Sequence, residues 1–142
     1  MTPASARRQC NEYGKLGLMG TTVLYGSGDY GVAGNNGACL GPKGHEQGAR
    51  RFSPLFPATC PFVVAVGATQ INPNSTVYEP ESACEQVAYS GGGFSNIFSM
   101  PRYQEVAVRG YLKDHPPPYT AEQYNNTGRV KHLPSNINRV PC

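Results

Sequence analysis

The sequence has no tryptophan and little charge: 15% of its 142 residues are Asp, Glu, Lys or Arg, and the net charge is +3. Charge this sparse supports no strong field. The basic residues lie in pairs, Arg7-Arg8 and Arg50-Arg51, and in a tail of Arg129, Lys131, His132 and Arg139. A nucleic-acid footprint needs a dense basic stripe on one face, so nucleic acid is not an expected partner. Long apolar runs are missing as well. None approaches the roughly 20 residues of a membrane-spanning helix, so no membrane partner is expected. Arg7-Arg8 has no apolar stretch behind it, so no signal peptide is expected in this chain. Cys-x-x-Cys is absent, which removes zinc-ribbon and thioredoxin readings. Gly-x-Ser-x-Gly is absent, which removes the nucleophile elbow of the α/β-hydrolases. The histidines, His45, His115 and His132, have no metal-ligating partner at i+4 and read as solvated. No metal site is expected here.

What the chain does have is turn chemistry. There are 17 glycines and 13 prolines, about a fifth of the residues. That is high, yet below the range of about 25–30% that marks low-complexity disorder. The expectation is a loop-rich globular segment. Five cysteines, Cys10, Cys39, Cys60, Cys84 and Cys142, leave at least one unpaired within the chain. If Cys142 is the spare, three connectivities remain for the other four, and spacing does not choose among them. Two N-glycosylation patterns, at Asn74 and Asn125, favour a secretory route, where disulfides persist.

The apolar positions Cys10, Tyr13, Leu16 and Met19 predict a helix over about 5–19, with Gly20 as its stop. Thr21-Thr22-Val23-Leu24-Tyr25 predicts a buried strand, and Phe62 to Gly67 a second one. Helix, short turn and buried strand make half of a parallel α/β unit. Residues 26–48 read as an extended surface loop. Val87-Ala88-Tyr89 reads as a short strand, 103–112 as a short helix behind Pro101, and 119–128 as a polar loop.

Gly26-Ser27-Gly28-Asp29-Tyr30-Gly31 matches Gly-x-Gly-x-x-Gly after a strand. A dinucleotide site needs a helix to open at once and an acid about 20 residues on. Val32-Ala33-Gly34-Asn35-Asn36-Gly37 is a poor helix and the acid is missing, so that reading fails. The same stretch also sets an acid, Asp29, beyond the carboxyl end of a strand, where sites gather in open α/β sheets. Its flanking glycines permit close approach. By spacing alone, Asp29 reads first as a turn residue bonding its own backbone. Glu79 and Glu81 flank a proline, which favours a turn over a carboxylate pair.

Taken in order, these runs resemble a known family. Cys10-Asn11-Glu12-Tyr13-Gly14-Lys15-Leu16-Gly17, Gly20 to Tyr25, and Gly28-Asp29-Tyr30-Gly31-Val32-Ala33-Gly34 come first. Phe56-Pro57-Ala58-Thr59-Cys60-Pro61, Val66-Gly67-Ala68-Thr69 and Ser90-Gly91-Gly92-Gly93-Phe94-Ser95 follow. Together they resemble the sedolisin family of acid serine-carboxyl peptidases, nearest to fungal secreted tripeptidyl peptidases, over about 6–128.

The resemblance implies a subtilisin-like doubly wound parallel sheet with long Gly/Pro-rich loops, incomplete here. Residues 1–128 would form part of a peptidase domain and 129–142 a divergent, disordered tail, such as translated intron on a truncated gene. In the family a Ser–Glu–Asp set does the chemistry, and the Gly-Asp motif supplies the oxyanion aspartate. That role maps onto Asp29, with Gly28 and Gly31 as its supporting loop. A carboxyl group donates to an oxyanion only when protonated, which a water-poor site and an acid medium favour. No Gly-Thr-Ser and no Glu-x-x-x-Asp occurs in the 142 residues. The expectation is a peptidase segment that carries Asp29 but is inactive alone. A non-catalytic peptide- or partner-binding product and a non-functional truncated product are the alternatives. The resemblance further implies a secreted, monomeric parent, peptide or unfolded-protein substrates, and calcium in the full-length domain with no cofactor in this chain.

Overall fold

The computed structural model describes residues 1–46 and 48–131. His132, Arg139, Cys142 and most of the expected tail lie outside them. The element order is α1 (Pro3–Leu18), β1 (Leu24–Gly26), β2 (Cys39–Gly41), β3 (Gly44–Glu46), β4 (Val64–Val66), β5 (Thr69–Gln70) and β6 (Ser82–Ala83). It continues with β7 (Phe94–Ser99), α2 (Arg102–Asp114), α3 (Ala121–Tyr124) and β8 (Gly128–Val130). Helices mix with small sheets, so the chain is α/β. Among the described residues the strands form four two-stranded sheets: β1 with β4 in parallel, and β2–β3, β5–β6 and β7–β8 antiparallel.

The first helix starts where its chemistry requires. The Thr2 side chain accepts from Ser5 N at 3.2 Å, and Pro3 opens the helix where its missing N–H costs nothing. Gly20, at φ +82°, turns the chain just past its end. Ala6 and Cys10 are its buried residues, with Tyr13 packed behind them. They meet Cys60, Val63 and Phe98 in the largest core cluster. A disulfide joins Cys10 to Cys60 inside it. Cys39 is disulfide-bonded as well, and Cys84 is the free thiol among the described residues.

A second cluster gathers Val32, Ala33, Cys39 and Phe52, with Tyr119 edge-on to Phe52. A third joins Phe94, Val108 and Val130. Arg129, beside Val130, is buried. Its Nη1 donates to the Ala58 carbonyl at 2.6 Å and its Nη2 to the Val63 carbonyl at 3.0 Å, which ties β8 to the first cluster.

Several expectations need correction. The stretches 21–25 and 62–67 do contain strands, but neither is buried: β1 is exposed throughout, and Val64 and Val66 are exposed in β4. An apolar run reads as buried from sequence, whereas burial depends on a neighbour that must also be present. The loop 26–48 holds a 3-10 turn at Asn35–Gly37 and the β2–β3 hairpin. The polar loop 119–128 holds α3, whose capping box pairs Thr120 with Gln123. Tyr89 makes a single bridge to Tyr30 rather than a strand. The boundary at Arg129 falls inside β8, so the expected tail begins within the fold.

Candidate functional site

The parallel pair sets the stage. Leu24, Tyr25 and Gly26 lie in register with Val64, Ala65 and Val66. The chain leaving β1 stays tied to this pair, because Ser27 N donates to the Val66 carbonyl at 2.8 Å. Gly28 and Gly31 then adopt φ of +91° and +58°, a left-handed region that disfavours any side chain. These two glycines shape a tight loop with Asp29 between them.

That loop is held by a segment 60 residues on. Tyr89 N donates to the Asp29 carbonyl at 3.0 Å, and Gly31 N to the Tyr89 carbonyl at 2.9 Å. Gly91 N donates to the Gly28 carbonyl at 2.8 Å and to Ser27 Oγ at 3.0 Å, while Gly92 N donates to the Gly31 carbonyl at 3.0 Å. Two motifs distant in sequence, 28–34 and 90–95, are therefore stitched backbone to backbone. Close packing explains one glycine: a β-carbon on Gly91 would sit 2.0 Å from the Ser27 carbonyl oxygen. Ser90 Oγ accepts from Ala68 N at 2.8 Å, which anchors the far side.

The backbone of Asp29 is fixed, but its side chain is exposed. The water-poor surroundings that an oxyanion acid requires are not assembled around it by the described residues. The pair Glu79 and Glu81 makes no joint site. Glu79 accepts from Ser75 Oγ and from Thr76 N, bonds that hold its carboxyl below the ordinary range and close a local turn. Glu81 accepts from Thr69 Oγ1. His45 shares a hydrogen bond of 2.7 Å with Ser53 Oγ, and His115 is exposed at the end of α2.

The acceptor asparagines differ. Asn74 is exposed at a turn, with φ +63°. Asn125 is half-buried; its Nδ2 donates to the Ser95 carbonyl at 2.9 Å, and its Oδ1 accepts from Thr127. The amide nitrogen that a glycan would use is thus already engaged in packing.

Lys131 is the residue that sequence reasoning passed over. It is 7% exposed, and its Nζ would lie 2.5 Å from a β-carbon on Gly91 and 4.0 Å from one on Gly28. The amine therefore sits behind the loop that carries Asp29. Burial first, and the Arg129 charge second, lower its pKa to about 8. Burial likewise lowers Arg129, whose Nε has no hydrogen-bond partner among the described residues. The sequence holds no signal for it: the run Arg129-Val130-Lys131 would leave both charges in solvent if it alternated, yet all three residues are buried. Among the described residues, no three His, Cys, Asp or Glu groups cluster closely enough to hold a metal ion. None of their helices is long and apolar enough to cross a membrane.

Known proteins then supply the family. No family model matches the chain. The chain is 46% identical to aorsin of Aspergillus oryzae over 139 residues, covering 94% of this chain and 21% of aorsin. It is 41% identical to tripeptidyl-peptidase SED1 of Arthroderma otae over 130 residues, 79% of this chain and 19% of that protein. It is 45% identical to tripeptidyl-peptidase sed4 of Aspergillus fumigatus over 126 residues, 89% of this chain and 19% of that protein. The chain spans about a fifth of the length of these curated relatives. Their names set the class as one of peptidase sequences. More narrowly, the chain belongs to the sedolisin family, as its ordered motifs implied.

Proposed function

We propose that this chain is a segment of a secreted acid serine peptidase of tripeptidyl-peptidase type, in which Asp29 donates to the oxyanion formed at the scissile carbonyl. The observation that carries this reading is the stitched loop. It fixes the Asp29 backbone at the carboxyl end of the parallel pair, between two glycines in left-handed conformations. The names of the relatives support peptide substrates, and the Cys10–Cys60 disulfide with the exposed acceptor pattern at Asn74 supports an extracellular parent.

In this reading the completed domain is a subtilisin-like doubly wound sheet, and Asp29 works there rather than here. The nucleophilic serine, the Glu and Asp that activate it, and the family's calcium site belong to other parts of the domain. The described residues gather no ligand set that fits calcium. Inside the completed domain, a covered Asp29 keeps its proton in acid and donates it to the oxyanion as negative charge develops. The chain alone cleaves no peptide.

The test is a hybrid enzyme: aorsin with its matching stretch replaced by this chain, assayed on peptides in acid. Asp29→Ala is expected to lower kcat by roughly 10²–10³-fold, the usual cost of one oxyanion donor. Asp29→Asn, which carries a donor at every pH, is expected to keep more activity and to move the acid optimum upward. An Asp29→Ala hybrid as active as its parent would sink the assignment. Inhibitor-sensitive cleavage by the isolated chain would sink the claim that it is inactive alone.

A further inference from the structure

Five polar or charged residues are buried among the described residues, and one of them, Ser27, stands in the loop that carries Asp29. It is 3% exposed and belongs to none of the three apolar clusters. A buried hydroxyl costs free energy unless it is bonded, and an alanine would fill the same space without that cost. The bonds that Ser27 Oγ makes lie at the clasp. It accepts from Gly91 N at 3.0 Å, and its own proton faces the Gly28 carbonyl at a longer, weaker 3.4 Å. Gly91 N donates at the same time to the Gly28 carbonyl at 2.8 Å. Ser27 Oγ, Gly91 N and the Gly28 oxygen therefore meet in one node.

That node governs a particular peptide unit. The Gly28 carbonyl, the Asp29 nitrogen and the Asp29 Cα lie in one plane. Fixing the Gly28 oxygen thus fixes the plane from which the Asp29 side chain departs. Ser27 is itself anchored, since its N–H donates to the Val66 carbonyl at 2.8 Å. Without the hydroxyl, Gly91 N keeps one of its two acceptors, and the Gly28–Asp29 peptide unit gains freedom to turn against Gly91. We propose that Ser27 is a positioning residue for Asp29, its buried hydroxyl setting the orientation of the peptide unit from which Asp29 reaches the oxyanion. This rests on the reading of Asp29 as the oxyanion donor, and it adds a residue that touches neither substrate nor oxyanion. Ser27 moves no proton. Its effect appears as charge develops on the substrate, because Asp29 bonds the oxyanion rather than the ground-state carbonyl. Lost positioning therefore lowers kcat and leaves KM alone.

The experiment is a double-mutant cycle in the aorsin hybrid. Ser27→Ala alone is expected to lower kcat roughly 10-fold with KM unchanged, part of the ~10²-fold that a misplacement of about 1 Å can cost. In the Asp29→Ala background the same substitution is expected to cost less than about 2-fold, because Ser27 acts through Asp29. Equal losses in the two backgrounds overturn the proposal, since a general weakening of the fold acts on both. No loss in the Asp29 background overturns it as well. An Asp29→Ala hybrid as active as its parent removes the oxyanion reading instead. In that case, or if the Ser27→Ala hybrid is not secreted, amide hydrogen exchange in the isolated chain decides. The Gly91 amide is expected to exchange at least ~10-fold faster in Ser27→Ala, with the Gly92 amide, bonded to the Gly31 carbonyl, unchanged. Unchanged exchange at Gly91, or equal acceleration at both amides, overturns the positioning role.

Discussion

Strands β1 and β8 are each three residues long and each pairs with a single neighbour among the described residues, yet all of β8 is buried and all of β1 is exposed. The difference lies in what the chain brings to each. Around β8, α2 supplies Val108, β7 supplies Phe94, and Gln104 bonds both backbone groups of Val130. Around β1, the chain supplies β4 on one edge and packs only Val23, the residue before the strand, against the cluster of Cys10 and Cys60. One end of the molecule buries its strand, and the other leaves its strand exposed. Asp29 stands on the second end, which is why a fixed backbone there carries an exposed side chain.

The sharpest way to break the comparison is to open the Cys10–Cys60 disulfide, in the cluster beside β1 and β4 to which Arg129 ties β8. It spans 50 residues of sequence and lies in the core cluster, with both cysteines at 1% exposure or less. On the chain-entropy account, closing a loop of that length stabilises the fold by about 4 kcal/mol. The double variant Cys10→Ser, Cys60→Ser is expected to lose about that much in urea unfolding. Chymotryptic digestion should then cut at Tyr13 in α1 and at Phe62 before it cuts at Phe94 and Phe98 in β7.

The next effect depends on pH. With a folded pKa of about 8 against the usual 10.5, Lys131 binds its proton more weakly in the fold than in the unfolded chain. Between pH 8 and 10.5 the unfolded state therefore holds more protons, and stability rises with pH across that window. Below pH 8 the charged amine is buried at full cost, at most about 3 kcal/mol for a shift of this size. Lys131→Met is expected to stabilise the chain by up to that amount at neutral pH and to give no gain above pH 10.5. Unfolding free energies measured at several pH values check both ends. A gain that does not change with pH would show that packing, not charge, dominates at this position.

How much could be read beforehand differs along the same division. Helix α1 was legible because Cys10 and Tyr13 keep helical spacing and Gly20 closes the element. The strand positions were legible from their β-branched runs, but their exposure was not, since Val64 carries the same letter whether or not a partner covers it. The disulfide was not legible, because five thiols leave several pairings open and only the fold brings Cys10 to Cys60. Ordered motifs revealed the family and singled out Asp29. They did not reveal that Tyr89 and Gly91 clasp its loop, a contact made across 60 residues by backbone groups that every sequence has. Lys131 was missed because the residues after Arg129 were set aside as divergent, and because nothing in a lysine's sequence context marks it as buried.

The smallest effect is the most direct test of the comparison. Val63 and Val64 are neighbours of identical chemistry, one 4% exposed against the disulfide cluster and the other 50% exposed on the outer face of β4. Truncating a buried valine removes two methyl groups from a packed site, with an expected loss of about 2 kcal/mol. Val64→Ala removes the same atoms from solvent and is expected to stay within about 0.5 kcal/mol of the parent. Thermal melts of the two variants should separate cleanly in the isolated chain. If another element covers the outer face in the aorsin hybrid, the two losses converge there, because Val64 then also gives up packed contacts. Convergence marks the outer face as an interface. A persistent gap would mean that β1–β4 stays half-covered in the complete domain, and that the shielding of Asp29 comes from elsewhere.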